Sequence, residues 1–246
     1  MSNNILFLVS VFVYLAAVLL LYKFYGKNGL FIFAVFSTVL ANIQVCKCVD
    51  VFGLSTTAGN TLYAATFLVT DILSEKYGKK DAARAVGYGV TVTILWIIGT
   101  QLTLLFAPNA NDYISDSLVV VFGLVPRIAI ASLIGYTVSQ SFDVFLYHKI
   151  WSKTGSNKSG LWIRNNFSTL TSQLLDTVIF TTLAFWGTYP VPVFFSILIT
   201  TYFFKAVVAL CDTPFIYLAR MIHPVDEEPK KDKGEKIQRR MVPVAE

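Results

Sequence analysis

From Ile5 to Tyr22 the chain runs eighteen residues without one charged side chain, and further apolar stretches follow with short connections as far as Leu218. Hydrocarbon offers no water to an exposed backbone N–H or C=O, so a segment that crosses it must satisfy its own groups, as a helix does. Crossing takes roughly 20 mostly apolar residues. The runs predict seven helices, at residues 5–22, 30–49, 57–75, 82–106, 118–148, 166–187 and 190–218. The third is diluted by Thr, Asn and Asp, and six spans remain if it is not one. The fifth is long enough to tilt or to bend at Pro126. The sixth and seventh meet at a tight turn from Gly187 to Pro192. The fold class is therefore all-α, a polytopic integral membrane protein.

Composition points the same way. Of the residues, 55% are hydrophobic and 14% charged, and mean hydropathy is +0.61. Soluble domains carry nearer a quarter charged residues. One transmembrane domain covers 1–222, and 223–246 is a charged tail expected to be disordered. The net charge of +5 does not suggest nucleic acid, because the excess sits in loops and in a solvated tail, with attraction to anionic lipid a secondary contribution. Cys46, Cys48 and Cys211 are odd in number. His148 and His223 stand apart, so no metal site and no cofactor is expected.

Orientation follows from the cations. The first run lacks a basic flank before it and has Lys23 and Lys27 after it, which marks a retained helix rather than a secretory signal. With the N-terminus outside, 17 of the 20 Lys and Arg residues fall on the inner side. The loops around 50–56, 107–117 and 188–190 receive none. The positive-inside rule then fixes an outside N-terminus and a cytoplasmic C-terminus.

Charges left within the runs are the informative residues, since each costs about 3 kcal/mol or more at the bilayer centre unless paired or hydrated. Asp176 falls ten residues into the sixth run, roughly 15 Å along the axis. Arg127 has a similar depth in the fifth, and Lys205 lies in the inner half of the seventh. Lys47, near the outer end of the second, can snorkel. Glu75 and Asp143 fall near the inner interface, where solvation is cheap. In the sixth run Asn166, Thr169, Gln173, Asp176 and Thr177 recur at spacings of three and four, with Leu174, Leu175, Ile179 and Leu183 opposite. Such a stripe faces a cavity or another polar helix. Lys205 and Asp212 are two turns apart on one face of the seventh. Asn42, Gln44 and Lys47 come from the second helix, and Asn60, Thr66, Thr70 and Asp71 from the third. Four helices thus supply polar groups to one expected central site.

The stretch from Thr70-Asp71 through Glu75-Lys76-Tyr77-Gly78-Lys79-Lys80 to Ala82 resembles the hallmark of the queuosine precursor transporters, the VUT family of bacterial membrane proteins. So do Arg164-Asn165, Ser168-Thr169, Ser172-Gln173, Asp176-Thr177, and Lys205 with Asp212-Thr213-Pro214. The resemblance covers about residues 30–220. It implies a multi-pass protein of the bacterial inner membrane that imports 7-deazaguanines, such as 7-cyano-7-deazaguanine, for tRNA queuosine salvage. A guanine-like edge presents an N–H beside an amino group, and one carboxylate can accept both. Asp176 and Gln173 are the expected base readers, with Asn166, Thr169, Lys205, Asn42 and Asn60 around the substrate. Arg127, Asp212, Asp71 and Lys47 are assigned to charge balance or coupling.

Three rivals stand beside this reading. A rhodopsin-like photoreceptor would use Lys205, but no carboxylate lies one turn before it. A membrane-embedded enzyme lacks a protease or hydrolase signature, so no catalytic residue is expected. A substrate-binding module driven by a partner ATPase is closer, since this chain has no P-loop. A second copy of the chain is an allowed partner that nothing in the sequence requires.

Overall fold

The computed structural model describes residues 2–123, 125–155, 158–187 and 190–226. It is a helical bundle with one small hairpin. Helix α1 (Asn3–Gln44) is broken at Gly26, whose φ of 56° and ψ of −136° leave the helical region. Its two arms correspond to the first two expected helices. Then come β1 (Cys48–Val51), β2 (Leu54–Thr57), α2 (Gly59–Lys76), α3 (Lys79–Leu105), α4 (Ser115–Gly123), α5 (Val125–Thr154), α6 (Lys158–Phe185) and α7 (Val191–Met221).

Gly26 carries the break because a side chain there would be strained at positive φ and would strike the Asp226 carboxylate. That carboxylate accepts from the Lys27 N–H at 2.8 Å and the Tyr77 hydroxyl at 2.8 Å. An anion thus caps the second arm's freed N-terminus.

Several boundaries differ from expectation, each for a physical reason. The second arm stops at Gln44 rather than 49, because β-branched Val49 and Val51 pair in an antiparallel hairpin with Thr56 and Leu54. Lys47 is therefore exposed in a turn, not helical. Phe52 and Gly53 both take positive φ, 51° and 77°, as a two-residue hairpin turn of the I′ kind requires. Asn4 Oδ1 holds the Phe52 N–H at 2.7 Å, tying the hairpin to the start of α1. Helix α2 begins at Gly59, not 57. The expected fifth helix is represented by α4 and α5, on either side of residue 124, which lies outside the described residues. Asp112 starts α4, accepting from the Ser115 hydroxyl and from the Ile114 and Ser115 N–H groups; those bonds hold its carboxyl below the usual range. Helix α6 starts eight residues early, at Lys158. Its first two turns are too polar for a hydropathy reading and are held by a buried ion pair instead. Of the turn before α7, residues 188 and 189 lie outside the described residues, as does the charged tail from 227 to 246.

The bundle is polar inside and apolar outside. Ile5, Phe12, Leu95, Leu102, Ile130, Phe167, Ile199 and Phe203 are exposed, whereas Asp71, Gln140, Asp143, Arg164, Asn165 and Gln173 are fully buried. Among the described residues, three helices, Asn3–Gln44, Lys79–Leu105 and Phe194–Met221, are long and apolar enough to cross a membrane by length and composition. Helices α2, α5 and α6 turn their polar faces to one another. The apolar core lies between α1, α2, α3 and α7, with Leu15, Val18, Leu30, Leu68 and Ile216 at its centre.

Candidate functional site

At the hairpin end of the bundle a cavity of about 500 Å3 opens between both α1 and α2 and the α5–α7 face. That volume is ordinary for a small-molecule site. Thr38 and Asn42 of α1, Thr56 of β2, Asn60 and Tyr63 of α2, Tyr136 of α5, Asp176 of α6 and Lys205 of α7 line it. The walls are mostly apolar, so the polar groups decide orientation.

The charged centre is the Asp176–Lys205 pair, with Lys205 Nζ 2.5 Å from Asp176 Oδ2. Both side chains are about 5% exposed or less. The other carboxylate oxygen accepts from the Tyr63 hydroxyl at 2.8 Å and the Ser139 hydroxyl at 3.3 Å. Lys205 Nζ also stands 4.9 Å from the Tyr63 ring centroid, a cation–π distance. Buried charges persist only when paired and hydrogen-bonded. This pair meets that condition while bordering the cavity, so a ligand can exchange with it without creating an unpaired charge. Gly135 on α5 makes the approach possible: a Cβ there would lie 3.0 Å from Asp176 Oδ1.

Deeper, the polar stripe of α6 enters a sealed network. Thr169 donates to Asp71 Oδ2 at 3.0 Å, and Asn165 Nδ2 donates to Asp212 Oδ1 at 3.0 Å. Asn166 donates to the Trp162 carbonyl and accepts from the Thr213 hydroxyl at 2.9 Å. Neither amide atom of Gln173 has a hydrogen-bond partner, although the residue is fully buried. At the far end, Glu75 accepts from Arg164 Nη2 at 2.6 Å, from Arg220 Nη2 at 2.6 Å and from the Tyr147 hydroxyl at 2.8 Å. The Arg164 guanidinium lies 4.6 Å from the Trp151 ring centroid.

The structure thus divides the expected site residues. Asp176, Lys205, Asn42 and Asn60 meet around one cavity. Gln173, Asn166 and Thr169 share their stripe but lie below it. Asp71 and Asp212 belong to the same lower network. Lys47 lies in the exposed turn. Arg127 is not at mid-depth: it is the third residue of α5, exposed, and donates Nε to the Leu183 carbonyl at 2.8 Å and Nη2 to the Trp186 carbonyl at 2.7 Å. It caps the C-terminus of α6, where a cation complements the helix dipole. Glu75 and Asp143 are not solvated at an interface; Glu75 is ion-paired and Asp143 fully buried. Tyr63, Tyr136 and Ser139 escaped the sequence reading. Tyr63 lies on the same α2 face as Asn60, three residues on, which was the available signal.

A family described as "Putative vitamin uptake transporter" matches residues 57–219. A Bacillus subtilis protein named "Probable queuosine precursor transporter" is 42% identical over 227 residues, covering 92% of this chain and 99% of that protein. An Escherichia coli protein named "Queuosine precursor transporter" is 27% identical over 146 residues, 59% of this chain and 62% of that one. No solved structure matches the chain.

Proposed function

The chain belongs to the vitamin uptake transporter family, and on that premise we propose that it imports queuosine precursors, 7-deazaguanine bases such as 7-cyano-7-deazaguanine, across the bacterial inner membrane. The observation that carries the reading is the Asp176–Lys205 pair at the wall of a cavity roomy enough for a purine, flanked by Tyr63. The base's adjacent N–H and amino group bond to the Asp176 carboxylate, and Lys205 is released toward the substrate's acceptor atoms. Tyr63 and Tyr136 supply the aromatic surfaces on which a flat base rests. Binding therefore trades one satisfied arrangement for another, which a site that must also release its ligand needs.

The bundle crosses the membrane seven times, with the hairpin end and the N-terminus outside and the C-terminus cytoplasmic. Supporting this, Lys23, Lys27, Lys76, Lys79, Lys80 and Arg84 gather at the end opposite the hairpin, and the hairpin-end loops carry Lys47 alone among the described residues. The cavity then faces outward, and the Glu75–Arg164–Arg220 cluster closes the cytoplasmic end.

The test is uptake of 7-cyano-7-deazaguanine by cells unable to make it, read as queuosine in tRNA. Wild-type protein restores the base and Asp176→Asn does not. Failure of the wild type, with the protein shown to be in the membrane, overturns the substrate. Restoration by both keeps the transporter and removes Asp176 from recognition.

A further inference from the structure

Asp71, Asp143 and Asp212 form a carboxyl cluster below the cavity, at 0, 0 and 1% exposure. Each has one oxygen without a hydrogen-bond partner, as have both amide atoms of Gln173 and the hydroxyl of Ser172 beside them. Asp71 and Asp143 face one another, and Asp212 lies within electrostatic reach of both. The charged groups around them are already engaged. Lys205 is paired to Asp176, and the Arg164 and Arg220 guanidinia share Glu75. Two cations on one carboxylate leave at most one positive charge against three carboxyls. The other groups in contact with them are neutral: Thr70, Gln140 and Tyr147 from α2 and α5, Asn165, Ser168, Thr169 and Ser172 from α6, and Cys211 from α7. Three buried carboxylates without counter-charge are not sustainable in a membrane interior. The cluster must hold something positive.

We propose that these three aspartates are a proton-binding site that couples substrate movement to proton entry; the coupling half of this rests on the transport reading above. Among the described residues no group of three His, Cys, Asp or Glu side chains is placed to hold a metal ion. A proton needs only one carboxyl oxygen at a time. On loading, an O–H bond forms on a carboxylate and its charge disappears. On release that bond breaks, leaving carboxylate and a free proton in water on the other side. No other reactant is needed.

Hydrogen bonds run from the cluster as far as the backbone of Tyr63, a residue that lines the cavity. Thr70 Oγ1 stands 3.4 Å from Asp143 Oδ2, 3.2 Å from Gln140 Oε1 and 2.9 Å from the Phe67 carbonyl. Gln140 Nε2 in turn donates to Thr66 Oγ1 at 3.2 Å, and Thr66 donates to the carbonyl of Tyr63, the Asp176 partner. A threonine hydroxyl has one proton for three acceptors. Protonated Asp143 donates to Thr70, whose own proton then goes to Phe67 or Gln140. Ionised Asp143 takes the Thr70 proton for itself. The protonation state of Asp143 thus decides whether the Thr70 proton goes to Asp143 or to Gln140 and Phe67, on the cavity side of the cluster.

The test uses purified full-length protein and has two arms. Infrared spectra at neutral pH, which need no substrate, show a protonated-carboxyl C=O band that shrinks in Asp71→Asn, Asp143→Asn and Asp212→Asn. Absence of that band, or its persistence unchanged in all three variants, overturns the proton site whatever the substrate is. In proteoliposomes, an inward proton gradient raises 7-cyano-7-deazaguanine accumulation at least fivefold, and a protonophore abolishes the rise. Asp143→Asn keeps substrate counterflow and loses the gradient response. Accumulation that follows a sodium gradient and ignores pH overturns the coupling. If the infrared band is present but no variant and no wild-type preparation shows counterflow, the substrate assignment fails and the proton site stands.

Discussion

Arg164, fully buried, meets Glu75, whose side chain is 6% exposed, in a two-pronged pair, Nη2 lying 2.6 Å from Oε2 and 2.8 Å from Oε1, at the end of the bundle farthest from the cavity. Arg220 and Tyr147 bond the same carboxylate, so α2, α5, α6 and α7 are tied at a single residue. Removing Glu75 leaves a guanidinium at 0% exposure without its counter-charge.

Breaking one partner of such a pair costs about 3–5 kcal/mol. Glu75→Gln should therefore lower the unfolding temperature in detergent by more than any single substitution in the cavity wall. Arg164→Lys should not restore the wild-type value, because an ammonium cannot make the forked contact. Equal thermal stability of wild type and Glu75→Gln would show that the cluster does not hold the helices.

The Asp176–Lys205 pair should behave as a unit. Asp176→Asn and Lys205→Met each strand a buried charge, so each should destabilise the protein; the double variant should recover part of the loss while remaining unable to bind substrate. A thermal-unfolding double-mutant cycle measures the coupling, expected at about 1 kcal/mol or more. Additive effects would mean that the two side chains do not sense each other.

Gly135 sets how closely α5 approaches the cavity carboxylate. A methyl group at 3.0 Å from Asp176 Oδ1 forces that oxygen aside without adding charge. Gly135→Ala should weaken 7-cyano-7-deazaguanine binding about tenfold, a change of about 1.4 kcal/mol, and Gly135→Leu should abolish it. Titration with the fold monitored by circular dichroism distinguishes this from unfolding; unchanged affinity in Gly135→Ala would sink the idea.

Arg127, which the sequence placed among the coupling charges, should prove structural. Its bonds run to two backbone carbonyls at the end of α6, so Arg127→Ala should cost about 1 kcal/mol of stability while substrate affinity stays within twofold. A large affinity loss at unchanged stability would return Arg127 to the site.

Much of this protein was legible from its order of residues. Apolar length announced the helices, because a chain in lipid must satisfy its backbone segment by segment and the signal for that is local. The three-and-four spacing of Asn166, Thr169, Gln173 and Asp176 announced one buried face, because helical geometry is fixed by the backbone. Three things required the tertiary structure. That the break between the first two runs falls at Gly26 was visible only in the structure, where φ is positive and Asp226, far along the chain, occupies the space a side chain would need. Glu75 and Asp143 read as interfacial when counted from the ends of apolar runs, and Arg164 fell before the sixth run, yet all three are withdrawn from water, because ion pairs and polar neighbours on other helices replace the water that hydropathy assumes they need. And the stripe on α6 divides between a cavity at Asp176 and a closed carboxyl network around Gln173. Spacing along one helix gives direction; where the space lies depends on how closely α2, α5 and α7 approach it.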